Sequence, residues 1–432
     1  MPKNLKQNGQ EWVDKDKATI WHPFTPLVGV DDPILITYAQ GVYLHTAEGH
    51  KIIDANSSWW VNLHGHAHPH IAKKIAEQAH TLEHVIFAGF THKPAITLAE
   101  NLLNILPDNI SKIFYSDNGS TSVEVALKMS FQYWYNKKID KSKVIAIDGA
   151  YHGDTFGAMS VGERSDFTKP FFKHLFNVDF IDFPDQDNED IVFRQFEDLL
   201  LTGEVAAFIF EPLVQGASGM RIYSADLLDK MISVAKKHEV ICIADEVMTG
   251  FGRTGKLFAS DYLNHKPDIV CLSKGLTGGA MALGVTACAE FIADAYKSHD
   301  LHKTFLHGHS FTANPLACAA ANASYELLIE EKCMENIQQI ARQHQHFRAK
   351  HESNRKLKDI RTIGTILAIE FETNNDSSYF SEMRNKLYPF FIARNILLRP
   401  LGNLIYIIPP YIINPEELDL IYQAIEEFFD TL

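Results

Sequence analysis

The chain has 432 residues, 46% of them hydrophobic and 22% charged, enough to build a large core in two domains or one elaborated one. Its 40 basic and 54 acidic side chains leave a net charge of −14, which argues against a nucleic-acid partner, since that would need a basic face. No apolar run reaches the roughly 20 residues required to cross a bilayer. In chain order, residues 1–20 read as a polar lead-in without the apolar core of a signal peptide, and a cytoplasmic protein is expected. Residues 35–55 read as short strands with turns at Gly41 and Gly49. From about residue 112 the pattern becomes strand–helix alternation. Strands are expected at 112–115, 143–147, 206–210, 240–244, 269–272 and 282–289, with helices such as 122–134 and 225–238 between them. These strands are short continuous apolar runs without alternation, the pattern of strands covered on both faces, so a mostly parallel sheet between helices is expected. Asn314-Pro315 opens a helical stretch that runs to about His351. The tail predicts a strand at 364–371, a hairpin of 396–399 with 404–408 across a Pro400-Leu401-Gly402-Asn403 turn, and a last helix opening at Asn414-Pro415.

Chemistry concentrates where these strands end. The run 240–244 delivers Asp245 and Glu246, and the run 269–272 delivers Lys274 into a Gly-rich turn. From position 245 to position 274 is one strand–helix–strand unit, so a carboxylate and an amine fall at the same edge of one sheet. That edge is where open α/β sheets hold their ligands. A lysine there can form a Schiff base, and an aspartate there can pair with the ring nitrogen of pyridoxal phosphate. Ser116-Asp117-Asn118-Gly119-Ser120-Thr121 follows a strand and opens a helix; alone it reads first as a plain helix cap, and its backbone N–H groups and hydroxyls could also bind a phosphate. Tyr151, in Tyr151-His152-Gly153-Asp154, could stack on a flat ring or fill a core. Glu211-Pro212 ends another strand and could supply polar contacts to such a ring.

Two motifs point elsewhere. Gly250-Phe251-Gly252-Arg253-Thr254-Gly255-Lys256-Leu257 nearly fits a nucleotide-binding P-loop, but Leu257 stands where a magnesium-holding hydroxyl belongs, and the loop follows the acids directly. His64, His66, His68 and His70 recur at period two, as zinc ligands on one strand face would. No cysteine lies close, and Gly65 and Pro69 favour a polar loop, so no metal site is expected. The five cysteines are odd in number, lack CxxC spacing and lie mostly in apolar runs, as in a reducing compartment.

Taken together and in this order, ADEVMTGFGRTG (244–255) and DIVCLSKGL (268–276) resemble the signature of the class III pyridoxal-phosphate aminotransferases of fold type I, over nearly the whole chain. The resemblance implies a large domain with a mostly parallel sheet and a smaller α+β domain. The expected bounds are 1–63 for an N-terminal segment packing with the small domain, 64–328 for the cofactor domain and 329–432 for the small domain. It implies that Lys274 is the Schiff-base lysine, that Asp245 faces the ring nitrogen, that Gly119 and Ser120 hold phosphate and that Tyr151 stacks on the ring. It also implies a homodimer with shared sites, in which Gly308, His309 and Ser310 reach the neighbour's cofactor.

Four further segments, IWHPFT (20–25), SSWWVNLHGHAHP (57–69), AYHGDTFGAMSVG (150–162) and LLRPLGNLIYIIPPYI (397–412), are similar to the biotin-synthesis branch of that class. That branch moves an amino group from S-adenosyl-L-methionine to 8-amino-7-oxononanoate. By this resemblance Trp59 and Trp60 wall the substrate site together with Tyr151, Lys274 and Gly308, and Arg399 clamps the acceptor's carboxylate. Phe24 stands where many members carry tyrosine, and His309-Ser310 replaces a more usual Pro-Thr. The missing hydroxyl at Phe24 bears on the donor, for which L-lysine is the alternative. A general ω-aminotransferase acting on ornithine, 4-aminobutyrate or β-alanine is the other.

Overall fold

The computed structural model describes residues 9–373 and 382–432; the first eight residues of the polar lead-in lie outside this range. A seven-stranded sheet runs in the order Ile110–Ser116, Gly284–Ala289, Ile269–Leu272, Ile241–Asp245, Val205–Phe210, Lys143–Ile147, Asp179–Ile181. Gly284–Ala289 is antiparallel to both neighbours, and the other pairings are parallel. The reason is local: a parallel return needs a crossover of a dozen or more residues, usually a helix. The link after Leu272 holds only the short turn Lys274–Thr277 and its glycines, so the chain folds straight back.

The absence of alternation in these strands follows from two-sided cover. Val144 and Ala146 point to one face and pack with Ile241, Ile243, Val123 and Ala126. Ile145 and Ile147 point to the other, with Phe208, Phe210, Leu228 and Ile232. Phe208 is 0% exposed and its ring lies 4.7 Å from that of Phe196. Phe208→Ala is therefore expected to cost about 3–5 kcal/mol of stability, read as a fall in the denaturation midpoint at unchanged slope.

The helix expected from 122 begins earlier, spanning Gly119–Lys137. Asn118 Oδ1 accepts from Thr121 N–H at 3.0 Å, and Thr121 Oγ1 accepts from Asn118 N–H at 3.0 Å. This reciprocal cap fixes the helix start at the end of the Ile110–Ser116 strand. The stretch from Asn314 is two helices, Pro315–Leu328 and Glu331–His351, with Asn314 capping the first.

The expected hairpin of 396–399 with 404–408 does not form. Ile396–Leu397 pairs in parallel with Lys51–Asp54, in a four-stranded sheet with Ile36–Gln40 and Tyr43–Thr46. Leu404–Ile407 pairs with Ile366–Phe371, which pairs with Leu357–Ile363. Only a bridge between Leu401 and Leu404 spans the turn. Each strand joins a different sheet instead of pairing across the turn, a choice that local sequence does not encode. The last helix, Pro415–Thr431, is capped by Asn414 with Glu417 reciprocating. Among the described residues no helix is long and apolar enough to cross a membrane. All five cysteines are free and buried.

Candidate active site

Asp245 and Lys274 emerge at the same edge because their strands run parallel in register, with Asp245 opposite Cys271. Both line a cavity of about 460 Å³ together with Trp60, Asn118, Gly119, Ser120, Tyr151, His152, Glu211 and Ser273. Lys274 sits in the left-handed region at φ 47°, and its Nζ lies 4.5 Å from the Trp60 ring centroid. Burial pulls its amine down to about 8 from the ordinary 10.5, opposed by the charges of Asp245 and Glu211. A nucleophilic amine is thus available near neutrality. The rate at which cofactor-free protein takes up pyridoxal phosphate should rise with pH through a midpoint near 8 and then level off. Stopped-flow absorbance at a series of pH values checks this; a rise continuing to 10.5 contradicts it.

Asp245 is held from two sides. Its Oδ2 is 2.7 Å from His152 Nδ1 and its Oδ1 accepts from Val247 N–H at 3.1 Å. His152 is buried, and its Nε2 has no partner among the described residues. Glu211 is equally buried. Its Oε1 accepts from Tyr151 N–H at 3.0 Å and its Oε2 from Gly216 N–H at 2.9 Å, so it ties the loop carrying Tyr151 to the strand end. Burial pushes the Glu211 carboxyl up to about 7, opposed by His152 and reinforced by Asp245. At the other end of the cavity the N–H groups of Gly119 and Ser120 lie in the first turn of a helix, where no intrahelical acceptor exists. Ser120 Oγ already accepts from Asp154 N–H at 3.2 Å, which leaves its hydroxyl hydrogen to donate.

The donor set fits pyridoxal phosphate. Helix N–H groups and a hydroxyl suited to an anion, the ring of Tyr151, a buried carboxylate and a buried amine line one cavity.

Not every expected residue lines this cavity. Trp59 stands outside it, with Phe24 at 5.5 Å between ring centroids and the Arg399 guanidinium carbon 4.8 Å above its ring. Gly308, His309 and Ser310 are also elsewhere. A Cβ on Gly308 would meet nothing within 4 Å, and His309 Nδ1 lies 3.1 Å from Asp117 Oδ2. The sequence reading gave His152 no role, although it sits in the Tyr151-His152-Gly153-Asp154 motif. It also missed Arg253 within the P-loop-like run. The Arg253 side chain is buried and donates to the carbonyls of Pro409 at 3.0 Å, Asn62 at 3.0 Å and Trp60 at 3.4 Å. That run builds the wall behind Trp60 and is no phosphate loop. Nor do the four histidines gather: among the described residues no group of three or more metal-ligating side chains occurs.

Comparison with known proteins gives a consistent result. Residues 28–429 match the family model described as aminotransferase class-III. The chain is 47% identical over 422 residues to adenosylmethionine-8-amino-7-oxononanoate aminotransferase of Synechococcus elongatus, covering 96% of this chain and 99% of that one. It is 36% identical to the protein of the same name from Staphylococcus aureus, covering 93% of each. Among solved structures, that of adenosylmethionine-8-amino-7-oxononanoate aminotransferase from Methanocaldococcus jannaschii is similar, with a TM-score of 0.90 and 33% identity over 97% of this chain and 99% of that one. A PLP-bound amine transaminase from an uncultivated Pseudomonas species gives 0.89 and 28% over 96% and 98%.

Proposed function

This chain belongs to the class III aminotransferases, which use pyridoxal phosphate, and from that premise we propose that it transfers the amino group of S-adenosyl-L-methionine to 8-amino-7-oxononanoate, giving 7,8-diaminononanoate for biotin synthesis. The observation that carries this reading is the near-full-length identity of 47% to a relative bearing that name. Trp59, with the Phe24 ring at 5.5 Å and the Arg399 guanidinium carbon at 4.8 Å, adjoins in sequence the cavity-lining Trp60 and supports it, since the acceptor is a long apolar chain ending in a carboxylate. The indole faces also suit a sulfonium cation.

In this reading pyridoxal phosphate supplies a protonated ring that takes up the electron pair left at the substrate carbon. Asp245, oriented by His152, would hold the proton on the ring nitrogen. Gly119 and Ser120 would hold the phosphate. Tyr151 would cover the ring, and Glu211 fixes the Tyr151 backbone. Lys274 would attach the cofactor through Nζ, and the same amine, when free, would carry the proton at the substrate carbon. Arg399 would hold the distal carboxylate of the acceptor.

The domain bounds 1–63, 64–328 and 329–432 belong to this reading, as does a homodimer in which Gly308, His309 and Ser310 reach the neighbour's phosphate. Leu306 and Phe311 flank that segment and are 80% and 59% exposed, a surface suited to a second copy. Five reduced, buried cysteines support a cytoplasmic location.

The test loads the protein with pyridoxal phosphate, removes the excess and supplies 8-amino-7-oxononanoate with either S-adenosyl-L-methionine or L-lysine. The expected result is 7,8-diaminononanoate, by mass, from the first donor alone. Product only with lysine overturns the donor assignment. No product from either, with cofactor bleaching by ornithine or 4-aminobutyrate, overturns the acceptor.

A further inference from the structure

Each of the four histidines in the run meets a protein partner. His64 Nε2 meets Ser324 Oγ at 3.1 Å, His68 caps the helix Pro69–Ala79, and His70 meets Glu326 at 2.6 Å. His66 Nε2 instead meets Asp54 Oδ2 at 2.9 Å. We propose that Asp54 and His66 form a positioning pair that holds the Trp59–Trp60 turn in shape for the substrate, an inference resting on the reading of that wall as the substrate surface.

The turn needs holding. Ser57, Ser58 and Trp60 all have left-handed backbone, with φ of 50°, 59° and 65°. Three non-glycine residues in four persist there only where their surroundings over-determine them. Asp54 is fully buried at the end of the Lys51–Asp54 strand and supplies that determination. Its Oδ1 accepts from Asn56 N–H at 3.2 Å, and its Oδ2 accepts from Ser58 N–H at 2.6 Å and Ser58 Oγ at 2.9 Å. His66 orients the carboxylate and is itself fixed. Asn62 Oδ1 accepts from Gly65 N–H at 2.7 Å, which turns the Asn62 amide toward His66 Nδ1 at 3.3 Å. An imidazole accepting at Nδ1 presents Nε2–H to Asp54. The His66 backbone is bonded to Gly41 in both directions, at 2.7 and 3.2 Å.

The far side of the turn is tied to the C-terminal strands. Asn56 Oδ1 accepts from Arg399 N–H at 2.7 Å, Asn56 Nδ2 donates to the Tyr406 carbonyl at 2.8 Å, and Ser57 Oγ donates to the Ile408 carbonyl at 2.7 Å. One turn therefore sets two distances at once, Trp60 against Lys274 and Trp59 against Arg399. Asp54 acts on substrate through that turn.

The test compares Asp54→Asn, His66→Phe and His66→Gln in the cofactor-loaded protein. Whichever way its amide faces, asparagine places an NH₂ against a backbone N–H of the turn, that of Asn56 or that of Ser58, and phenylalanine removes the donor to Asp54. Glutamine keeps a donor within reach of it. Two readouts are taken: the KM and kcat for 8-amino-7-oxononanoate, and iodide quenching of Trp59 in a Trp12→Phe/Trp21→Phe background, which leaves Trp59 as the exposed indole. Asp54→Asn and His66→Phe should raise KM about tenfold with kcat changed much less, and should raise quenching, while His66→Gln stays close to the parent in both. Parent-like KM and quenching in folded Asp54→Asn and His66→Phe overturn the pair, as does equal damage by His66→Gln and His66→Phe. Should Asp54→Asn fail to fold, the two His66 variants, at a side chain 15% exposed, carry the comparison. Should the parent itself not turn over the keto acid, the proposed reaction falls and the quenching comparison alone decides the pair by the same criteria.

Discussion

Lys274→Ala should lower turnover by about 10⁴-fold or more while leaving the protein folded. The expected loss is this large because one atom is assigned three tasks: attaching the cofactor, leaving when the donor arrives, and moving the proton from carbon. Among the described residues no other lysine lines the cavity to replace it. The fold should survive, since the ammonium group contributes contact with the Trp60 ring at 4.5 Å and burial that opposes its charge. Circular dichroism and the thermal midpoint check the fold, and steady-state product formation checks the rate. Activity within tenfold of the parent removes Lys274 from the chemistry.

Asp245→Asn should lower kcat by about 10²–10³-fold, the usual scale for removing one preorganised electrostatic partner of a developing charge. Asparagine keeps the size of the side chain and an oxygen for the His152 contact, but it turns an NH₂ toward Val247 N–H, so the fall in kcat combines the lost charge with the lost contact. A second signature separates charge from shape. Asp245 raises the Lys274 amine against the pull of burial, so its neutralisation should move the pH midpoint of cofactor uptake below the value near 8. A variant with reduced kcat but an unmoved midpoint contradicts the electrostatic role, because both effects come from the same carboxylate.

Both residues were legible in the sequence because each follows an uninterrupted apolar strand, and an ionisable residue at such a strand end is a deliberate placement. Gly119 and Ser120 also follow a strand, but alone they suit a helix cap, and their phosphate role rests on the family resemblance; the cap, Asn118 with Thr121, sets the helix start three residues earlier than periodicity suggests. His152 and Glu211 were harder to assign. Their roles are to orient Asp245 and to fix the backbone of Tyr151, and such partners are chosen by contacts 93 and 60 residues away in the chain. Arg253 was hidden by a local pattern that suggests another chemistry. Its carbonyl partners lie near residues 60 and 409, so only the assembled fold shows that it builds a wall. The misread hairpin has the same origin. Turn residues encode a reversal of direction, but sheet membership is decided by distant partners, here Asp54 and Ile369. The three left-handed residues at Ser57, Ser58 and Trp60 had no sequence signal at all, because glycine and asparagine mark such backbone and this turn uses neither at those positions.

The most direct measurement is borohydride trapping of the protein loaded with pyridoxal phosphate, followed by proteolysis and mass mapping of the modified lysine. Modification of Lys274, at one cofactor per chain, is the predicted result. A label on another lysine, or none in a folded protein that retains the cofactor, would contradict the assignment of this cavity as the site of transamination.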